Sequence, residues 1–210
     1  MKLVTVSSNV LALSIFGIAV AGAPAFAGDE MGLYVGGGVG VGRPLAVGDN
    51  KLGVLPMLSV GYTLANGLRP EAEFSYRYNS KNGFAEHAAS AMGNLWYDFW
   101  QDGYYFYAGG GFGATDLHAN SGGVSGSDTL PAWQVGFGFG NALTRHLTLG
   151  LDFRHLATLD KPKFTIQGQS VESPHYMTNA ALIELRYSFG GRLPDPVFGS
   201  ETPVQVVPIR

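Results

Sequence analysis

The chain alternates, position by position, between large apolar side chains and small or polar ones. Trp133, Val135, Phe137 and Phe139 are interleaved with Gln134, Gly136, Gly138 and Gly140. Leu147, Leu149, Leu151 and Phe153 are interleaved with Thr148, Gly150, Asp152 and Arg154, and Ala181, Ile183, Leu185, Tyr187 and Phe189 with Leu182, Glu184, Arg186 and Ser188. Earlier, Ala72, Phe74, Tyr76 and Tyr78 alternate with Glu71, Glu73, Ser75 and Arg77, and residues 33–41 set Leu, Val and Tyr against glycine. A period of two belongs to strands, because successive side chains point to opposite faces of a sheet. Each strand therefore has an apolar, aromatic face and a face of glycine and charge.

Such strands can hide the apolar face between two sheets, with the polar face in water, or turn it to lipid with the polar face in a closed lumen. The glycines distinguish the two. A solvated face has no reason to avoid side chains, whereas Gly36, Gly38, Gly40, Gly136, Gly138 and Gly140 remove them along one face, as a narrow interior requires. The links agree with a barrel. Short turns at Ala65-Asn66-Gly67, Gln101-Asp102-Gly103 and 141–145 alternate with longer polar links at 42–52, 79–85, 119–130 and 160–173. Strands are expected near 32–41, 53–64, 68–78, 86–99, 104–117, 132–141, 147–158 and 176–189. The fold class is thus all-β, an eight-stranded antiparallel up-and-down transmembrane barrel. Pro56 and Pro70 are its weakest points, since proline cannot donate to a paired ladder.

Composition sharpens this picture. Charged residues make up 14 % of the 210 residues, against roughly 25 % in an average soluble domain, while 31 are glycine and 12 % aromatic. A disordered chain needs the opposite balance. The absence of cysteine excludes disulfide scaffolds, thiol catalysis and iron–sulfur centres. A formal net charge of -3 provides no footprint for nucleic acid. At the start, Met1-Lys2, an apolar run and Ala25-Phe26-Ala27 have the form of a secretory signal peptide over 1–27. The barrel then occupies 28–189, and a tail with Pro194, Pro196, Pro203 and Pro208 occupies 190–210.

Gly67-Leu68-Arg69-Pro70-Glu71-Ala72-Glu73-Phe74-Ser75-Tyr76-Arg77-Tyr78, Met92-Gly93-Asn94-Leu95-Trp96-Tyr97-Asp98-Phe99, Tyr107-Ala108-Gly109-Gly110-Gly111-Phe112-Gly113 and Glu184-Leu185-Arg186-Tyr187-Ser188-Phe189 together resemble the small outer-membrane β-barrel family. This group includes the transmembrane domain of OmpA-like porins and surface antigens of alphaproteobacteria. The resemblance spans 32–189. It implies a bacterial outer-membrane location among lipid and lipopolysaccharide. It also implies recognition by the outer-membrane assembly machinery through Leu185, Tyr187 and Phe189 of the last strand. In many members that phenylalanine ends the chain; here 21 residues follow it. The tail is similar to the start of the linker that leads, in longer OmpA-like proteins, to a peptidoglycan-binding domain, which this sequence lacks.

Strand parity places Glu71, Glu73, Arg77, Asp98, Asp152, Arg154, Glu184 and Arg186 in the lumen, where they are expected to pair because an unpaired buried charge is expensive. Tyr97, Phe99, Trp100, Tyr104 and Tyr105 are expected to form an aromatic girdle at the membrane boundary. The expected role is structural or surface-interacting, with a lumen plugged by charge. A narrow porin-like passage for small solutes is the alternative, which the resemblance to OmpA-like barrels implies, and a lipid A-modifying enzyme a distant one. Lipid A deacylases place a serine two positions after the histidine; after His155 that position is Ala157, with only Thr158 nearby, and parity sets His155 on the face opposite Glu184. No catalytic residue, cofactor or metal is therefore assigned. His87, His118, His146, His155 and His175 lack metal-ligand spacing, and the glycines of 36–42 are followed by no helix that could hold a phosphate. The third long loop, with Asn120, Ser121, Gly122, Gly123, Ser125, Gly126 and Ser127, is almost uncharged and a possible surface-ligand site.

Overall fold

The computed structural model describes residues 32–45, 52–81, 84–101, 104–121, 124–166 and 169–190. The expected signal peptide over 1–27, the expected turn at Asp102-Gly103 and the expected tail beyond Gly190 lie outside these residues. The strands are β1 (Gly32–Pro44), β2 (Gly53–Thr63), β3 (Leu68–Lys81), β4 (Phe84–Gln101), β5 (Tyr104–Ser121), β6 (Val124–Ala142), β7 (Leu147–Thr158), β8 (Lys163–Ile166), β9 (Gln169–Glu172) and β10 (Met177–Ser188). Among the described residues, eight of them close into one antiparallel barrel in the order β1-β10-β7-β6-β5-β4-β3-β2, and β8 and β9 form a separate hairpin. Closure leaves the wall no unpaired edge, which a hydrocarbon environment requires.

The strands are staggered. Stepping between paired residues from Tyr34 through Gly61, Glu71, Asn94, Gly111, Gln134, Leu156 and Thr178 returns to β1 at Pro44, ten residues further along. Such a shear tilts the strands and leaves an interior just wide enough to be filled by side chains. Pro56 and Pro70 both point outward. At Pro56 the β2–β3 register passes from Val54↔Tyr78 to Met57↔Ser75 with the two intervening pairs missing, but the β1–β2 ladder runs through it unbroken.

The two ends of the barrel differ. At the turn end, Gly67 adopts φ 83°, a left-handed conformation suited to glycine, and Leu64 N–H donates to Leu68 O at 2.8 Å. In the 143–146 turn, Thr144 Oγ1 accepts from the backbone N–H groups of His146 and Leu147. At the loop end, two of the expected long links are much shorter. β3 and β4 stay paired to Lys81↔Phe84, and β5 and β6 to Ser121↔Val124. β4 and β5 each reach 18 residues and β6 reaches 19, where about 9–11 cross a bilayer. The extra length has no apolar alternation to reveal it, because beyond the membrane neither face of the ladder meets lipid. Within the expected 160–173 loop lies the β8–β9 hairpin, held to β6 by Lys163 N–H donating to Asp128 Oδ2 at 2.8 Å.

Large apolar side chains are exposed around the outer wall, among them Val39, Leu58, Phe112, Phe137 and Ile183. Tyr97, Phe99, Tyr104, Phe106, Tyr187 and Phe189 ring the turn end on this outer face. Tyr76 and Tyr78 flank His87 toward the loop end, with ring centroids at 5.9 and 4.9 Å. This arrangement is the apolar band and interfacial aromatic distribution of a membrane barrel.

Candidate functional site in the barrel lumen

Alternation carries every second side chain into the lumen, and the barrel's chemistry collects there. The eight residues assigned to the lumen from parity, Glu71, Glu73, Arg77, Asp98, Asp152, Arg154, Glu184 and Arg186, are all buried. A ninth charged residue, Arg69, is buried with them and is the hub of the turn-end half. Its Nε donates to both carboxylate oxygens of Asp98 at 3.1 Å, and its Nη1 reaches Tyr34 Oη at 2.9 Å and Glu71 Oε2 at 3.2 Å. Tyr34 Oη and Trp96 Nε1 also donate to Glu71, at 2.7 and 2.8 Å. Arg69 has the parity of Glu71 and Glu73 within the expected strand 68–78, so the same alternation assigns it to the lumen.

A second hub lies toward the middle. Arg154 pairs with Glu73 and grips Asp152 through Nε at 2.8 Å and Nη2 at 2.6 Å. Gln134 Nε2 and Asn94 Nδ2 each donate to Glu73 Oε2 at 2.8 Å, and Gln134 also donates to Asn94 Oδ1 at 2.7 Å. Arg186 is 3.5 Å from Asp98 Oδ2 and lies over the rings of Tyr34 and Tyr105. The neutral members Tyr34, Asn94, Trp96 and Gln134 escaped a reading that looked for charge alone.

Pairing is incomplete at two of the eight positions. Among the described residues Glu184 has no ion pair, and its Oε1 has no hydrogen-bond partner. Arg77 donates only to hydroxyls, Ser75 Oγ at 3.2 Å and Ser90 Oγ at 3.0 Å, and its Nε is without a partner. The expected general pairing therefore fails there: the strand register places Arg77 above the carboxylates rather than among them.

The expected girdle also divides. Tyr97, Phe99 and Tyr104 are exposed on the outer wall, but Tyr105 is 2 % exposed and Trp100 packs against it with ring centroids at 4.8 Å. Trp100 pairs with Tyr105 across β4 and β5, one position out of step with the Phe99–Phe106 pair. They therefore share the inward parity of Asp98 and Tyr107. Tyr105 stacks on Tyr107 at 5.7 Å, and Tyr107 meets Trp96 edge-on at 5.7 Å. Inward glycines make room for these rings: a Cβ on Gly138 would run into Tyr107, one on Gly61 into Tyr34 and one on Gly109 into Trp96. Toward the loop end the lumen becomes apolar, with Ala88, Met92, Leu117, Leu130, Leu156 and Tyr176 in one buried cluster.

The architecture has clear relatives. Residues 11–189 match the family model described as the outer membrane protein beta-barrel domain. The chain belongs to that family. It is an outer-membrane protein, crossing the membrane with strands and sitting among lipid and lipopolysaccharide. The neisserial surface protein A structure superposes with a TM-score of 0.63 at 18 % identity, covering 75 % of this chain and 97 % of that one. Ail, the attachment invasion locus protein of Yersinia pestis, gives 0.54 at 13 %, covering 76 % and 99 %. The N-terminal β-barrel domain of Pseudomonas aeruginosa OprF gives 0.51 at 12 %, covering 75 % and 100 %. No curated sequence matches the chain. These structural likenesses are likenesses of fold.

On the outer wall, His155 Nδ1 bonds Asn179 Oδ1 at 2.7 Å, and its ring lies 5.4 Å from that of Trp133. Glu184 points into the lumen on the other side. Among the described residues no group of three His, Asp or Glu side chains could hold a metal ion.

Proposed function

We propose that the protein is a closed barrel with a structural role in the outer membrane, presenting its loop-end sheet at the cell surface. The observation that carries this reading is the filled lumen. Tyr34, Arg69, Trp96, Tyr105 and Leu156 are each at most 2 % exposed, and they span the interior from the aromatic layer through the charged layer to the apolar one. A solute would have to push aside both arginine hubs and then cross an apolar layer. The presented surface is polar: Asp116 accepts from Thr129 and contacts His118, and Lys161 lies 3.7 Å from Glu172. Surface and attachment proteins of the same fold, named as such in Neisseria and Yersinia, make surface contact a natural use of this architecture. The outward row Leu185, Tyr187 and Phe189 would serve recognition by the assembly machinery.

A narrow passage is the second reading, favoured by lumenal polar atoms without protein partners, including Ser59 Oγ, Gln134 Oε1, Asp152 Oδ1 and Tyr107 Oη. Buried polar atoms of this kind are usually met by ordered water. Planar-bilayer recording separates the two. The closed barrel shows no discrete conductance, and neither Arg154→Gln nor Arg186→Gln changes that. Stepwise conductance in the wild type, altered by either substitution, would establish the passage instead.

A further inference from the structure

Arg77 is 3 % exposed and has no carboxylate partner, whereas Arg69, Arg154 and Arg186 each lie beside one. The titratable groups that face Arg77 are Tyr176, Glu73 and Arg154. Glu73 is already engaged by Arg154, Asn94 and Gln134. Tyr176, immediately before β10, is 6 % exposed and its hydroxyl also lacks a partner. Its main chain is fixed by Thr158, whose N–H donates to Tyr176 O at 2.9 Å and whose Oγ1 accepts from Tyr176 N–H at 3.1 Å. Ser90 Oγ, one of the two hydroxyls on Arg77, is itself 3.0 Å from Thr115 Oγ1. Thus a buried guanidinium N–H and a buried phenol are both unpartnered in the same loop-end layer, beside three serine and threonine hydroxyls and walled by Ala88, Met92, Leu117 and Leu156.

A buried cation in apolar surroundings is strongly unfavourable unless a negative charge accompanies it. The five carboxylates of the charged layers, Glu71, Glu73, Asp98, Asp152 and Glu184, lie on the turn-end side of this layer, and none of them pairs with Arg77. We propose that Arg77 and Tyr176, with Ser75 and Ser90, form a binding site for a small monovalent anion, a halide such as chloride. The chemistry selects this class. The free groups are donors, no carboxylate pairs with Arg77, and the lining of Ala88, Met92, Leu117 and Leu156 is apolar, which favours a monovalent ion over a phosphate, whose greater charge costs more to bury. Glu86 also faces Tyr176 and is a carboxylate that could compete for the site. The proposal is independent of whether the lumen conducts.

The test uses the full chain folded in detergent. In crystals grown with sodium bromide, an anomalous peak is expected within hydrogen-bonding reach of Arg77 Nε and Tyr176 Oη. In solution, exchanging gluconate for chloride at constant ionic strength should raise the unfolding temperature of the wild type, as binding to the folded state alone requires. Phosphate should produce no comparable rise. Tyr176→Phe, which deletes one donor without changing the ring, should need about tenfold more chloride for the same rise. Arg77→Met should show none. If Arg77→Met does not fold, the bromide map and Tyr176→Phe carry the test. A water molecule or the Glu86 carboxylate at Arg77 Nε, or a wild type indifferent to chloride, overturns the proposal.

Discussion

The two halves of the lumen solve burial differently. In the turn-end half and the middle, five carboxylates, Glu71, Glu73, Asp98, Asp152 and Glu184, share space with Arg69, Arg154 and Arg186 and are braced by Tyr34, Asn94, Trp96 and Gln134. In the loop-end half, apolar side chains close over a single guanidinium that meets only hydroxyls. The first arrangement depends on its ion-paired members, since removing one partner of a pair leaves another charge buried alone. The second behaves like an ordinary protein core. The same strands build both, so the difference lies in which residues occupy successive inward positions and not in backbone geometry.

The contrast can be broken most sharply at Arg69. Arg69→Met leaves Asp98 and Glu71 without their main cation and should cost about 3–5 kcal/mol, read as a fall in the urea midpoint of the heat-modifiable gel transition. Arg77→Met, in halide-free buffer, should stay within about 1 kcal/mol of the wild type, because no carboxylate is abandoned. Equal losses at the two positions would show that the halves are not distinct. A smaller effect is expected where glycine makes room for the aromatic layer. Gly138→Ala should destabilise by about 1–3 kcal/mol through collision with Tyr107, and Tyr107→Ala in the same chain should recover much of the added loss; additive losses would mean the ring does not depend on that space. The smallest change is expected at Glu184, where Glu184→Gln removes a carboxylate without an ion pair and should leave the midpoint unchanged or slightly raised. A loss above about 2 kcal/mol there would reveal an ionic partner essential to the network.

Much of this was legible one residue at a time. The alternation in the segments around Phe74, Phe137, Leu149 and Ile183 marked which side chains face lipid, and the shared strand parity of Glu71, Glu73, Asp152, Arg154, Glu184 and Arg186 marked the interior. Errors arose where the local pattern stopped carrying information. Trp100 and Tyr105 look like interface residues because aromatic residues are dense in the sequence on both sides of Asp102 and Gly103; only the pairing of Phe99 with Phe106 shows which aromatics face inward. The segments at 79–85 and 119–130 read as loops because they are polar and small, yet backbone pairing continues through most of them where no lipid demands apolar side chains.

By itself the sequence determined the number of barrel strands, the face taken by residues in the clearly alternating segments and therefore the membrane as solvent, because side-chain alternation is a local property of the extended chain and a lipid-facing wall leaves it little freedom to vary. Only the tertiary structure decided who meets whom inside. Stagger between neighbouring strands sets the height of each inward residue, so Glu73 on β3 reaches Arg154 on β7, 81 residues away, while Arg77, four residues along β3 from Glu73, is carried past the paired carboxylates into the apolar layer. Those heights depend on how eight tilted strands close on one another, a condition on the whole ring that no single segment of the chain contains.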